Sequence, residues 1–187
     1  MPQFFFVEAG MIQKQLFRWE TMGFFFVSAV GTVLHFVYDW SGESPIAAAI
    51  SGVNESTWEH MKLLAVPWIL WTVVQALTVR RSGVLSARAA GLLTGLATIP
   101  TLYYTYTGAT GQNLSLVNII IFQIAVLLAF AVSWQLQKKR RLTGLFWQVA
   151  AVAMMLAVAA LFLWWTYQTP SLPLFTDPVT GQVGRGV

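Results

Sequence analysis

With 187 residues, 57% of them hydrophobic and only 10% charged, the chain carries less than half the roughly 25% charge of an ordinary soluble domain, which excludes a water-soluble globule in favour of a membrane protein. The net charge of +4 does not mark a nucleic-acid partner, because the basic residues sit beside apolar runs, where membrane topology accounts for them. Cysteine is absent, which excludes disulfides, thiolate metal ligands and a cysteine nucleophile.

The first twenty residues alternate apolar patches with Gln, Lys and Arg and include Phe4, Phe5, Phe6, Phe17 and Trp19. Their apolar run precedes the positive charges, the reverse of a secretory signal. The segment is therefore expected to be retained, as an interfacial amphipathic helix over residues 1–20. Long, nearly charge-free segments follow at about 21–39, 59–79, 114–136 and 142–167, with a less apolar one at about 88–107. Each approaches the roughly 20 residues that cross a bilayer core as a helix. The expected fold class is all-α, a single membrane domain built as a bundle of five transmembrane helices.

Five crossings place Lys14, Arg18, Arg80, Arg81, Arg88 and the run Lys138 to Arg141 on one side, and only Lys62 and Arg185 on the other. Lys and Arg accumulate on the cytoplasmic side, so the N-terminus is expected inside, the C-terminus outside, and the protein in the cell membrane as a multi-pass protein. In the first outer loop Ser44-Pro45 reads as an N-cap with proline at the first helical position. A short half-helix over "IAAAISG", ended by Gly52, is expected there. Ser56 and Glu59 match the capping box, which makes Glu59 mainly a capping residue.

Pro100 is expected to kink the third span, and Gly91 with Gly95 to let two helices approach closely. Asn118 and Gln123 are expected to face the bundle, since uncharged polar groups are costly in lipid. The inner halves of the spans are read as free of titratable groups. No internal repeat is visible, and five spans do not divide into two inverted halves. The tail, residues 168–187, has prolines at 170, 173 and 178 and the apolar residues Leu172, Leu174 and Phe175, and is expected to fold back over the outer mouth.

Both histidines and four of the seven acidic residues lie between positions 35 and 60. His35 and Asp39 are one helical turn apart, and Glu55, Glu59 and His60 stand at the start of the second span. Imidazole and carboxylate together suit a divalent transition metal, zinc first among them. The expected ligands are His35, Asp39 and His60, with Glu55 or Glu59 as general base. Asn54, Lys62, Tyr103, Tyr104, Tyr106, Asn118 and Asp177 are the expected binding residues around the outer mouth. On this reading the protein is a metal-dependent hydrolase of an amide or ester in a lipid or envelope precursor, its partners being membrane lipids and a lipid-like or small-molecule ligand. Passage of an ion or small solute, with Asp39, Glu55 and Glu59 as a vestibule, and a purely structural polar cluster remain as alternatives.

The stretches "HFVYDWSG", "VNESTWEHMKL", "YTYTG" and "PLFTDPVTG" together resemble an uncharacterised family of small prokaryotic multi-pass membrane proteins, domain of unknown function 6512, over about residues 19–184. The resemblance implies the multi-pass membrane fold and no activity. Family members often carry a histidine where this chain has Ser171 and an aromatic residue where it has Val183, so the resemblance implies no essential role for either.

Overall fold

The structure is a computed structural model that describes residues 2–79 and 81–185, the side chains of residues 2–10 and 12 excepted. It is helical: α1 (Pro2–Trp40), the single turn α2 (Pro45–Ala48), α3 (Thr57–Val79), α4 (Val84–Thr110), α5 (Ser115–Lys138) and α6 (Leu145–Tyr167), followed by a 3-10 turn at Pro173–Phe175. The tail closes with one antiparallel bridge between Thr176 and Val183.

The segment expected to be interfacial runs on into the first candidate span. Residues 2–40 form one helix of 39 residues, about 58 Å long at 1.5 Å per residue, nearly twice the roughly 30 Å of a hydrocarbon core. No Gly-Pro or proline interrupts the segment after Pro2, so nothing local stops the helix where its composition changes. Phe4, Phe5 and Phe6 lie outside the described side chains, as does Arg80 entirely.

Among the described residues, four helices are long and apolar enough to cross a membrane, Gln13–Trp40, Thr57–Val79, Ser115–Lys138 and Leu145–Tyr167. Their outward faces are apolar, with Phe25, Leu70, Leu77, Leu116, Ile119 and Leu156 among the most exposed large side chains. α4 is equally long but rich in threonine. Its hydroxyls are spent internally: those of Thr94, Thr98, Thr101, Thr105, Thr107 and Thr110 each donate to the carbonyl four residues earlier at 2.6–2.9 Å. The helix passes without a break through Pro100, as α3 does through Pro67.

Successive long helices alternate in direction, which gives the bundle two polar ends. At one, His60 opens α3 and Asn118 opens α5 beside the last turns of α1 and α4. At the other, Gln75 near the end of α3 meets Arg88 near the start of α4, Gln137 near the end of α5 and Glu20 of α1. Between them lies an aromatic and aliphatic core containing Val27, Leu64, Trp68, Trp71, Leu92, Phe122, Val126 and Phe130. Gly91 lets α3, α4 and α5 close on one another, since a Cβ there would lie 2.6 Å from the Ala129 carbonyl and 2.7 Å from the Trp68 ring.

Candidate functional site

His35 sits near the end of α1, His60 in the first turn of α3, and Glu55 in the loop just before α3. That loop is drawn onto α1 by the Gly52 N–H, which donates to the Leu34 carbonyl at 3.3 Å. Glu55 thereby enters between the two imidazoles, with Oε1 3.2 Å from His35 Nε2 and Oε2 3.7 Å from His60 Nε2. The three ligand atoms lie within 4.8 Å of one another and the residues are partly open to the surroundings.

The histidine protonation pattern follows from the partners. His60 Nδ1 is 3.0 Å from the Ser56 carbonyl oxygen, which can only accept, so Nδ1 carries the proton and Nε2 is left bare toward Glu55. An imidazole oriented through its far nitrogen is how proteins present histidine to a metal. Glu55 itself is held below the usual carboxylate range, first by its hydrogen bond with His35 and then by the charges of His35 and His60, against an opposing effect of burial. Zinc with bonds of about 2.0–2.2 Å sets tetrahedral ligand atoms roughly 3.3–3.6 Å apart, and this set, within 4.8 Å of one another, is somewhat wider.

The tail fixes the loop that carries Glu55. Asp177 Oδ2 accepts the Glu55 N–H at 3.3 Å, and its Oδ1 accepts the N–H groups of Val179 and Thr180 at 2.7 and 3.1 Å. Burial pushes the Asp177 carboxyl up, but these three backbone donors outweigh it and hold it below its ordinary value. Asn54 donates from Nδ2 to the Gly184 carbonyl at 2.8 Å and accepts the Ser56 N–H at 2.9 Å. Phe175 is the apolar anchor, buried between Trp58 and Trp165, whereas Leu172 is exposed.

Asp39 is exposed and belongs to no converging ligand group among the described residues; Glu55 takes the third position beside the histidines. The capping box is only half formed. Ser56 Oγ accepts the Glu59 N–H at 3.4 Å, but the Glu59 carboxylate turns away to accept the Val53 N–H at 3.2 Å and to pair with Lys62 Nζ at 2.6 Å. A carboxylate only 3% exposed needs a counter-charge more than it needs a cap. Lys62 also donates to the Ala48 carbonyl at 2.8 Å and to Thr166 Oγ1 at 3.0 Å, which employs all three of its donors. The pair ties α2 and α6 to α3 and faces no open space, so neither member is placed as a base or a ligand-binding group.

Tyr103 lines a small pocket with Glu55, His60 and Asn118. Tyr106 donates to Asn118 Oδ1 at 2.7 Å and accepts the Leu114 N–H at 3.1 Å, joining α4 to the start of α5, while Tyr104 is exposed and lines neither cavity. A larger cavity of about 320 Å³ reaches from His35, Glu55 and His60 along α5 past Asn118 to Gln123.

The sequence reading missed a second polar cluster at the opposite end. Glu20 Oε1 accepts from Arg88 Nη2 at 3.1 Å, Gln137 Nε2 at 2.8 Å and Gln75 Nε2 at 3.4 Å, and Arg88 Nε donates to Gln75 Oε1 at 2.5 Å. All four side chains are buried, Arg88 completely, with its guanidinium stacked near Trp68 and Phe130. Arg88 is therefore no loop anchor, and a candidate span does contain a buried titratable group, Glu20, at this end of the bundle. The available signal was Gln75, Arg88 and Gln137 each close to one end of a largely apolar helix, with Glu20 midway along α1.

Comparison with known proteins adds one match: the model of a family described as "Family of unknown function (DUF6512)" covers residues 10–185. The chain belongs to that family. No curated protein and no solved structure matches it.

Proposed function

We propose that the protein crosses the cell membrane five times and holds a divalent metal at His35, Glu55 and His60 to hydrolyse an ester or amide of a membrane-embedded substrate. α4 supports the fifth crossing because it starts beside Gln75 and Gln137 and ends beside His60 and Asn118. It thus spans the same interval as α3 and α5, and its back-bonded threonines suit apolar surroundings. With Arg88 removed from the loop count, seven of the eleven basic residues, Lys14, Arg18, Arg81 and the run Lys138 to Arg141, still cluster at the Glu20 end, which supports a cytoplasmic Glu20 end with the histidines outside. Cysteine substituted at Ser44 or Thr180 in this cysteine-free chain is expected to react with an impermeant maleimide in intact cells, and at Ser82 to stay unreacted. Reaction at Ser82 alone reverses the threading.

The observation that carries the metal reading is the bare Nε2 of His60 facing Glu55 and His35 Nε2, beside a cavity large enough for a substrate. A metal bound there supplies Lewis acidity and lowers the pKa of a bound water. His35, Glu55 and His60 would hold the metal, and the Glu55 carboxylate would take the proton of the attacking water. It returns that proton to the departing oxygen or nitrogen as the carbon–heteroatom bond breaks, releasing an acid and an alcohol or amine. Tyr103 and Asn118, on the far wall, orient the substrate. A transport path is weighed against by the packed layer of Phe122, Val126, Phe130, Trp68 and Trp71 between the two polar clusters.

Purified without chelator or histidine tag, the protein is expected to carry near-stoichiometric zinc or a neighbouring transition metal by elemental analysis. His35→Ala and His60→Ala are expected to lose it. Metal-free wild-type protein that cannot be reloaded sinks the hydrolase reading and leaves a structural hydrogen-bonded cluster.

A further inference from the structure

The cavity beside Glu55 opens through the flank of the bundle. Its floor is the hydrogen bond from Ser28 Oγ to Gln123 Oε1, 2.8 Å long, which joins α1 to α5. One turn further, Gly31 holds the helices together, since a Cβ there would lie 2.7 Å from the Phe122 ring and 2.8 Å from the Leu63 carbonyl. Beyond that point the two walls part. Thr32 and Phe36 on α1 and Ser115 and Ile119 on α5 border the cavity and are exposed. Val179 of the tail and Asn113 of the α4–α5 loop cover its top. Val33, Leu116 and Ile120 flank the opening on the outward faces of the same two helices and are exposed too. Both helices are candidate membrane spans, so the opening looks into lipid.

We propose that this cleft between α1 and α5 admits the polar linkage of a single-chain amphiphile, a long-chain acyl ester or amide, sideways from the outer leaflet. What then happens to the linkage rests on the metal reading above; the route of entry does not. The volume of about 320 Å³ is near the lower end of the roughly 300–1,000 Å³ of ligand pockets. It takes a linkage and the first methylenes but not a two-chain lipid, and the remaining chain lies along Phe36 and Ile119. Gln123 gives its carbonyl oxygen to Ser28, which leaves its amide N–H groups as donors to a substrate carbonyl or headgroup oxygen. The histidines and Glu55 stand at the same cavity's head end, so a chain entering through the flank presents its linkage to them.

The test is photolabelling of the full-length protein in phosphatidylcholine nanodiscs by a long-chain fatty amide carrying a diazirine near its carbonyl. Adducts mapped by mass spectrometry are expected on residues 31–36 and 115–123. Thr32→Trp and Ile119→Trp, which narrow the opening from opposite walls, are expected to reduce these adducts by about tenfold with the unfolding midpoint and metal content unchanged. Adducts spread evenly over lipid-facing positions such as Leu70, Leu77 and Leu156, or undiminished by either tryptophan, overturn the proposal. If a tryptophan variant fails to fold, competition in the wild type decides. Excess unlabelled long-chain amide must suppress the cleft adducts and acetamide must not; suppression by neither overturns it. A labelled cleft in a protein without metal or hydrolysis keeps the entry route and removes the hydrolase reading. Metal and hydrolysis with an unlabelled cleft do the reverse.

Discussion

The two polar clusters differ in what their charges are free to do. Glu20 and His35, like His60 and Gln75, are fifteen positions apart on one helix, about 22 Å, so the clusters occupy opposite ends of the same bundle. The Arg88 cluster is sealed: it joins α1, α3, α4 and α5 through buried partners, while Glu20 Oε2, Arg88 Nη1 and Gln137 Oε1 are buried with no hydrogen-bond partner among the described residues. The His35–Glu55–His60 cluster is partly exposed, loosely paired at 3.2 and 3.7 Å, and adjoins a cavity. The first arrangement suits holding helices together; the second leaves lone pairs for a ligand. The pair Glu59–Lys62, whose members flank His60 on α3 yet are fully engaged, shows that the distinction depends on access more than on depth.

The sharpest way to break the comparison is at Arg88. Arg88→Leu leaves Glu20 buried without its cation and is expected to cost about 3–5 kcal/mol, seen as a large fall in the unfolding midpoint in detergent. The double variant Glu20→Leu with Arg88→Leu is expected to recover most of that loss, and equal damage in single and double variants removes the pairing argument. Next in size, Phe175→Ala empties an aromatic pocket between Trp58 and Trp165 and is expected to cost about 3 kcal/mol. It should also speed backbone exchange of residues 54–56 and 177–184; unchanged exchange there separates the tail from the Glu55 loop.

The smallest effect concerns pH. The folded-state value of Glu55 lies below its ordinary 4.5, so its contribution to stability is present above about pH 4.5 and is lost as pH falls through the lowered value. Because the carboxylate is nearly half exposed, the loss is modest. Glu55→Gln is expected to flatten that acid limb of the stability profile. A limb unchanged by the substitution assigns the acid sensitivity elsewhere, Asp177 being the other lowered carboxyl near the tail.

Much of the architecture was readable along the chain because it depends on local composition. Long apolar runs become helices, Ser44-Pro45 starts a short turn, and Gly91 with Gly95 marks a close contact. The site was readable in part. His35 and His60 converge as their shared position at one end of two adjacent helices suggests, but the third carboxylate is Glu55 instead of Asp39. A four-residue spacing places His35 and Asp39 on one face without saying which way that face turns. The loop pinned by Gly52 to Leu34 decides that Glu55 enters the gap.

By itself, then, the sequence determined the helical membrane character, since burying so much apolar surface with so few charges requires every backbone group to be satisfied within its own segment. It also determined that the polar chemistry would gather around residues 35–60. Only the tertiary structure decided which charges are spent and which are free. Glu20 and Arg88 lie 68 positions apart, and neither local spacing nor capping pattern links them. Their pairing, and the turning of Glu59 from its cap to Lys62, arise because a buried charge takes whichever partner the packed helices bring within reach.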